Sequence, residues 1–94
     1  MTSADLEEKT GRYERMLADA LELASPSVDA ESGKVEGDEC IEMASAYLQD
    51  GMHFREEGDL INALASFSYG HGWIDAAARL GAIDVPKDSD LFTI

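Results

Sequence analysis

GDLINALASFSYGHGWIDAAARLG, residues 58–81, decides the fold, because it predicts one long helix with a start signal and a stop signal. Asp59 is a favoured N-cap residue, and Gly81 is the residue type that most often follows a helix C-terminus. We therefore predict helix 3 at about residues 60–80. At about 100° per residue, one side of this helix should face the core, and it carries Leu60, Ala63, Leu64, Phe67, Gly70, Ile74, Ala77 and Ala78.

Two glycines interrupt this helix, and each costs roughly 0.5–1 kcal/mol relative to alanine in a helix interior. Gly70 lies on one line with Ala63 and Ala77, so a second helix can approach the backbone closely there. Gly72 lies instead at the edge of a different face. Gly70 is therefore interpreted as a packing residue, whereas Gly72 needs another explanation.

The rest of the chain predicts two further helices and no second domain. An apolar stripe predicts helix 1 at about residues 4–24, ending at Ser25 and Pro26. Residues 26–37 contain Pro, Gly, Ser and acids without a sustained period, and are interpreted as a loop. Helix 2 follows at about residues 38–57, and its two-residue connection to helix 3 predicts an antiparallel hairpin. The C-terminal tail covers residues 84–94.

The predicted hairpin places small and aromatic residues at the spacing of a tetratricopeptide-repeat hairpin, to which it is similar. These residues are Gly51, Phe54, Ala63, Phe67 and Gly70. The chain contains one such unit, and the apolar face of a single unit must be covered by something else. Helix 1 is available for this, so residues 1–94 are predicted to form a single all-α domain, an antiparallel up-and-down three-helix bundle.

The charge of the chain restricts its partners and its solvent. Twenty acidic residues stand against seven Lys and Arg in 94 residues, a net charge of -13. Such a protein should not bind nucleic acid or anionic membranes, which require a basic patch. At about 1 M salt the Debye length falls to about 3 Å, so this coat suits a salt-rich cytosol. We therefore expect a halophilic, archaeal, cytoplasmic protein, with an ordinary acidic mesophilic protein as the alternative. Cys40, the single cysteine, cannot form an internal disulfide.

Helix 3 also carries a second apolar face, formed by Tyr69, Trp73, Ala76 and Leu80. A bundle helix does not need two such faces, so something should cover this one. The tail is one candidate, because Leu91, Phe92 and Ile94 could fold back over it. The other is an unknown protein partner or a second copy in a homodimer, because exposed aromatic residues mark such interfaces.

The sequence contains no motif that predicts catalysis, such as a P-loop, a GxSxG elbow or a HExxH helix. His71 and Asp75 stand four residues apart and could share a face, a spacing that suits a divalent metal or acid-base chemistry. Two ligands are too few for a structural zinc site. We therefore predict a non-catalytic protein-protein interaction module without a cofactor, and keep a small-ligand or metal-binding domain using His71 and Asp75 as the alternative.

Residues 47–83, YLQDGMHFREEGDLINALASFSYGHGWIDAAARLGAI, resemble a small archaeal family, the domain of unknown function numbered three-five-seven. The residues that carry the resemblance are Tyr47, Phe54, Gly58, Asp59, Ala63, Tyr69, Gly72, Trp73, Asp75, Ala76 and Gly81. The resemblance implies an all-helical bundle from an archaeon. It implies no activity and no catalytic residue. Gly70 departs from the alanine expected there.

Overall fold

The computed structural model describes residues 3–27 and 31–93, which form three helices and one short pair of strands. The helices are α1 (Ser3–Leu23), α2 (Glu31–Glu56) and α3 (Leu60–Arg79). The strands are β1 (Ser25–Pro26) and β2 (Ile83–Asp84). The predicted all-α bundle is therefore confirmed.

The turn between α2 and α3 follows the signals in the sequence. Gly58 has a φ of +81°, a left-handed conformation that favours glycine. Asp59 then caps α3, because its carboxylate accepts a hydrogen bond from the backbone N–H of Asn62 at 3.1 Å. α2 and α3 pack more closely than any other pair of helices. They form the hairpin that the sequence predicts.

α1 lies against both helices of this hairpin. Arg55, near the C-terminal end of α2, forms an ion pair with Glu14 at 3.1 Å. Three residues further along α1, Leu17 is fully buried and faces Gly70 of α3. The core thus lies between the three helices, and its buried apolar residues are Leu17, Ala20, Ala44, Ala63, Phe67, Ile74, Ala77, Ala82, Ile83 and Phe92.

Gly70 is a packing residue, as its position in the sequence predicted. A Cβ atom at this position would lie 2.8 Å from Cδ2 of Leu17 and 3.0 Å from Cβ of Tyr47. Both distances are shorter than an ordinary van der Waals contact. A side chain would therefore push α3 away from both α1 and α2.

The predicted loop at residues 26–37 is wrong in its second half, because α2 begins at Glu31 and not at about residue 38. Gly37, which suggested a loop, is buried within the helix. A Cβ there would collide with the carbonyl oxygen of Ala82, and would lie 3.2 Å from Cγ2 of Ile83. This glycine allows the chain after α3 to pack directly on the first turns of α2.

The chain after α3 turns back along the bundle. Gly81 has a φ of +79°, and the N–H groups of Gly81 and Ala82 donate to the carbonyls of Ala78 and Ala77, which is a Schellman motif. β2 then pairs antiparallel with β1, and the N–H of Ser27 donates to the carbonyl of Ala82 at 3.0 Å. The end of α1 is thereby joined to the end of α3.

The C-terminal tail packs on a flank of α3. Phe92 is buried in the core, and Leu91 packs against it. The N–H and the hydroxyl of Thr93 each donate to the carboxylate of Asp75 at 2.7 Å. Arg79 donates to the carbonyl of Thr93 at 3.1 Å. Ile94, which the sequence analysis names in the tail, lies outside the described residues.

Candidate functional site

The structure brings the four residues of the second apolar face together on one exposed side of α3. Tyr69 is 64% exposed, Trp73 is 38% exposed and Leu80 is 83% exposed. Ala76 lies between them and is also exposed. The hydrogen bonds of the tail are made to Asp75 and Arg79, which lie on a different side of the helix. The tail packing thus leaves large apolar surface at Tyr69, Trp73 and Leu80.

This face forms one wall of a groove, and α2 forms the other. The groove has a volume of about 760 Å³. Its apolar surface comes from both helices, and the residues that contribute it are Cys40, Met43, Trp73, Ala76, Ala77 and Leu80. A shallower depression of about 410 Å³ continues past Gly72 toward Tyr69. The Tyr69 ring is held by the ring of Tyr47, with 5.2 Å between their centroids.

The α2 side of the groove is acidic. Glu36, Glu39 and Glu42 are exposed and stand three residues apart, so they follow one another along the helix. Among the side chains that the structure describes, those of residues 5–27 and 36–93, no Lys or Arg lines this groove. The groove therefore combines an apolar surface with a negative potential along one edge.

Cys40 responds to this environment. Burial raises the pKa of the Cys40 thiol, and the negative charges of Glu39 and Glu36 raise it further. The thiolate is the nucleophilic form of cysteine, so this thiol is poorly reactive at neutral pH. Cys40 contributes apolar surface to the groove.

Gly72 lies open beside the exposed aromatic residues. A Cβ atom at this position would meet no atom within 4 Å beyond its own stretch of helix. No packing contact within the described chain therefore requires a glycine there, in contrast to Gly70.

The sequence alone identified the α3 wall but missed the α2 wall. Cys40 is half-buried and packs against the core beside this wall. Glu36 and Gly37 were assigned to a loop. The early start of α2 places Glu36 on this wall. Glu39 and Met43 lie inside the predicted helix 2, but the sequence pattern does not show that their side of the helix lies beside Trp73 and Leu80.

His71 and Asp75 have different roles in the structure. Both carboxylate oxygens of Asp75 accept hydrogen bonds from Thr93, so this side chain anchors the tail. Nε2 of His71 is buried and has no hydrogen-bond partner among the described residues. Within residues 3–27 and 31–93, no three His, Cys, Asp or Glu side chains are grouped closely enough to hold a metal ion.

The helices were also compared with the requirements of a membrane span. In the part of the chain that the structure describes, no helix has both the length and the apolar character needed to cross a bilayer.

The sequence was compared with protein families, curated proteins and solved structures. Residues 12–83 match the family model described as "Protein of unknown function (DUF357)". This range includes the residues of both walls of the groove. No curated protein and no solved structure matches the chain. Because the family model covers well over half of its length, the chain belongs to the DUF357 family.

Proposed function

We propose that this protein is a non-catalytic protein-interaction module that binds its partner through the α3 face of Tyr69, Trp73, Ala76 and Leu80. The observation that carries the proposal is the exposure of Tyr69, Trp73 and Leu80 on one side of α3, where Trp73 and Leu80 line the groove and Tyr69 lines the depression that continues it. Exposed apolar patches rimmed by polar groups mark interaction sites, and aromatic residues are enriched at their centres. The open position at Gly72 supports the same use, since a partner could approach the helix backbone there.

We place the protein in the salt-rich cytoplasm of an archaeon. The support is the net charge of -13, since seven cationic side chains cannot neutralise twenty acidic ones. High salt screens the repulsion among the remaining carboxylates.

Binding is tested by capture from cells of the source organism at native salt, with four baits. The wild type is compared with Trp73→Ala, Leu80→Ser and the matched control Ile61→Ser, because Ile61 is a 73% exposed apolar residue elsewhere on α3. We expect a partner, or a second copy, to be retained by the wild type and the control and lost by the other two. Equal retention by all four baits would contradict the proposal.

The alternative, a ligand or metal site at His71 and Asp75, has one observation in its favour, the unpartnered Nε2 of His71. The engagement of both Asp75 oxygens by Thr93 argues against it. Titration with zinc, manganese or nickel, followed by Trp73 fluorescence, tests the alternative. Saturable binding that His71→Ala abolishes would favour it over the interaction module.

A further inference from the structure

We propose that the groove between α2 and α3 binds a basic amphipathic helix of a partner protein. The apolar face of that helix would lie on Trp73, Ala76 and Leu80, and its Lys or Arg residues would lie over Glu36, Glu39 and Glu42. This inference rests on the proposed function, because it names the chemistry of the partner that binds the α3 face.

Charge is the first argument for this occupant. Three carboxylates line the α2 edge, and none of the Lys and Arg side chains of residues 5–27 and 36–93 lines the groove. The pKa of the Cys40 thiol is raised first by its own partial burial and then by the negative charges of Glu39 and Glu36, which act across this edge of the groove. A partner that brings cations would relieve this repulsion, whereas a neutral partner would only desolvate the carboxylates.

The same charges disfavour a second copy as the occupant. A two-fold dimer brings the same patch of both subunits together. Each copy would then contribute Glu36, Glu39 and Glu42, in chains that each carry a net charge of -13. Like charges across an interface are unfavourable, so the groove suits a partner of opposite charge.

The shape of the surface argues for a helix. From Tyr69 in the shallower depression to Leu80 in the groove, the exposed apolar face of α3 extends for about 16 Å, or about three helical turns, at 1.5 Å per residue. α2 and α3 together offer the hydrophobic groove between two helices that an amphipathic helix occupies in helix-in-groove recognition. Glu36, Glu39 and Glu42 lie only on the α2 side of the groove. The Lys or Arg residues of the partner helix should therefore lie along one edge of that helix's apolar face.

A displayed library of random peptides tests the inference without assuming a partner. Peptides of about 15 residues, enough for about four helical turns, are selected on the wild type and counter-selected on Trp73→Ala. Selection takes place at about 1 M KCl, where the Debye length is about 3 Å. Long-range electrostatic attraction is then screened, so only charged groups in near contact attract each other. We expect enrichment of peptides with apolar residues at i, i+3 or i+4 and i+7, and Lys or Arg beside them. Enrichment of acidic or neutral peptides, or no enrichment, would overturn the inference.

Two triple variants of equal charge then locate the contact. Glu36→Gln, Glu39→Gln and Glu42→Gln together should weaken the selected peptide about tenfold. The control combines Glu7→Gln, Glu22→Gln and Asp50→Asn, three exposed acids that do not line the groove, and should leave affinity nearly unchanged. An equal loss in both triples would mean that the peptide senses only net charge, and would refute the inference.

Cys40 reports whether the peptide occupies the groove. It is the single cysteine of the chain and lines the groove, so bound peptide should slow its alkylation. Unchanged alkylation would overturn the inference. A natural partner that is lost with Trp73→Ala but retained by the Glu36, Glu39 and Glu42 triple would refute the basic helix and leave the proposed function intact. A homodimer disrupted by Trp73→Ala would likewise refute the basic helix and leave the proposed function intact.

Discussion

Gly70 and Gly72 are two residues apart on α3 and have opposite surroundings. Gly70 fills the closest approach of three helices, whereas Gly72 has open space where a side chain would stand. The sequence distinguishes the roles of the two glycines, because Gly70 lies on the same side of the helix as Ala63 and Ala77. It could not show that the space at Gly72 is open, since that depends on where the tail and α2 lie.

Alanine substitution should therefore have opposite effects at the two glycines. Gly72→Ala should stabilise the protein by about 0.5–1 kcal/mol through helix propensity, because the new methyl group meets nothing. Gly70→Ala gains the same propensity, but overpacking costs about 1–3 kcal/mol, so a net loss of up to about 2 kcal/mol is expected. Urea unfolding measures both free energies. Destabilisation by Gly72→Ala would show that the position is packed in solution.

Cys40 gives a pH-dependent prediction. Because its pKa is raised by burial, and then by Glu39 and Glu36, the folded thiol should ionise at higher pH than the thiol of the unfolded chain. In the folded protein, the alkylation rate of Cys40 should therefore rise at higher pH than in the unfolded chain. Glu39→Gln removes one of the nearby negative charges, so it should shift the pH profile of the folded protein toward that of the unfolded chain. The sign for stability follows: stability is unaffected below the ordinary thiol pKa and falls as pH rises toward the folded pKa. Coincident profiles for folded and urea-unfolded protein would contradict this.

At the scale of elements, the boundaries that sequence patterns predict well are those fixed by local signals. Asp59 and Gly81 define α3 through backbone capping, and Pro26 ends the region of α1, so these bounds lie within about one residue of the prediction. The start of α2 could not be predicted in this way. Gly37 lowers the helix propensity of this segment, but it leaves room for Ala82 and Ile83, which are far away in the sequence. Tertiary packing at Gly37 therefore overrides helix propensity.

In the candidate site, too, the sequence predicts the part that depends on one helix and misses the part that depends on tertiary packing. The face of Tyr69, Trp73, Ala76 and Leu80 follows from the period of a single helix, so the sequence predicts which residues share it. The neighbouring wall does not follow, because the position of α2 beside that face is a property of the whole bundle. The sequence also allowed the tail to fold over this face, whereas Thr93 binds Asp75 on a different side of α3.

The tail should contribute to stability without covering Trp73. Phe92→Ala should lower the free energy of unfolding by about 2–4 kcal/mol, because it leaves a cavity in the core. The fluorescence maximum of folded Trp73 should stay nearly constant, because the tail binds another side of α3. Asp75→Ala should cost about 1 kcal/mol through the lost hydrogen bonds to Thr93. A clear red shift in folded Phe92→Ala would place the tail over Trp73 instead.

At the scale of the molecule, the acidic surface dominates the response to solvent. Among the described residues, Glu8 contacts Arg12, Glu57 contacts Nε2 of His53, and Glu14 forms an ion pair with Arg55. The first two contacts join residues that are four apart in the sequence and well exposed, so each contributes little. Most of the excess negative charge is therefore balanced by ions of the solution.

Thermal stability should accordingly rise between about 0.1 and 2 M KCl, as screening reduces carboxylate repulsion. The melting temperature measures this, and KCl is preferred to sulfate because sulfate also strengthens apolar burial. The triple variant of Glu7, Glu22 and Asp50 should show a shallower rise than the wild type, since it has fewer charges to screen. A melting temperature that is flat across this range would contradict the halophilic interpretation.

The short pairing of β1 with β2 also bears on the order in which the molecule assembles. It joins positions on either side of the whole α2–α3 hairpin, so it closes a much longer loop than the turn at Gly58 does. Contacts between neighbours in the chain close with less loss of entropy, so the hairpin should form first and α1 should dock last. Subglobal opening should then follow the reverse path. Native-state hydrogen exchange should release the amide of Ser27, which donates to Ala82, before the central amides of α2 and α3, and α1 should open with it as one cooperative unit.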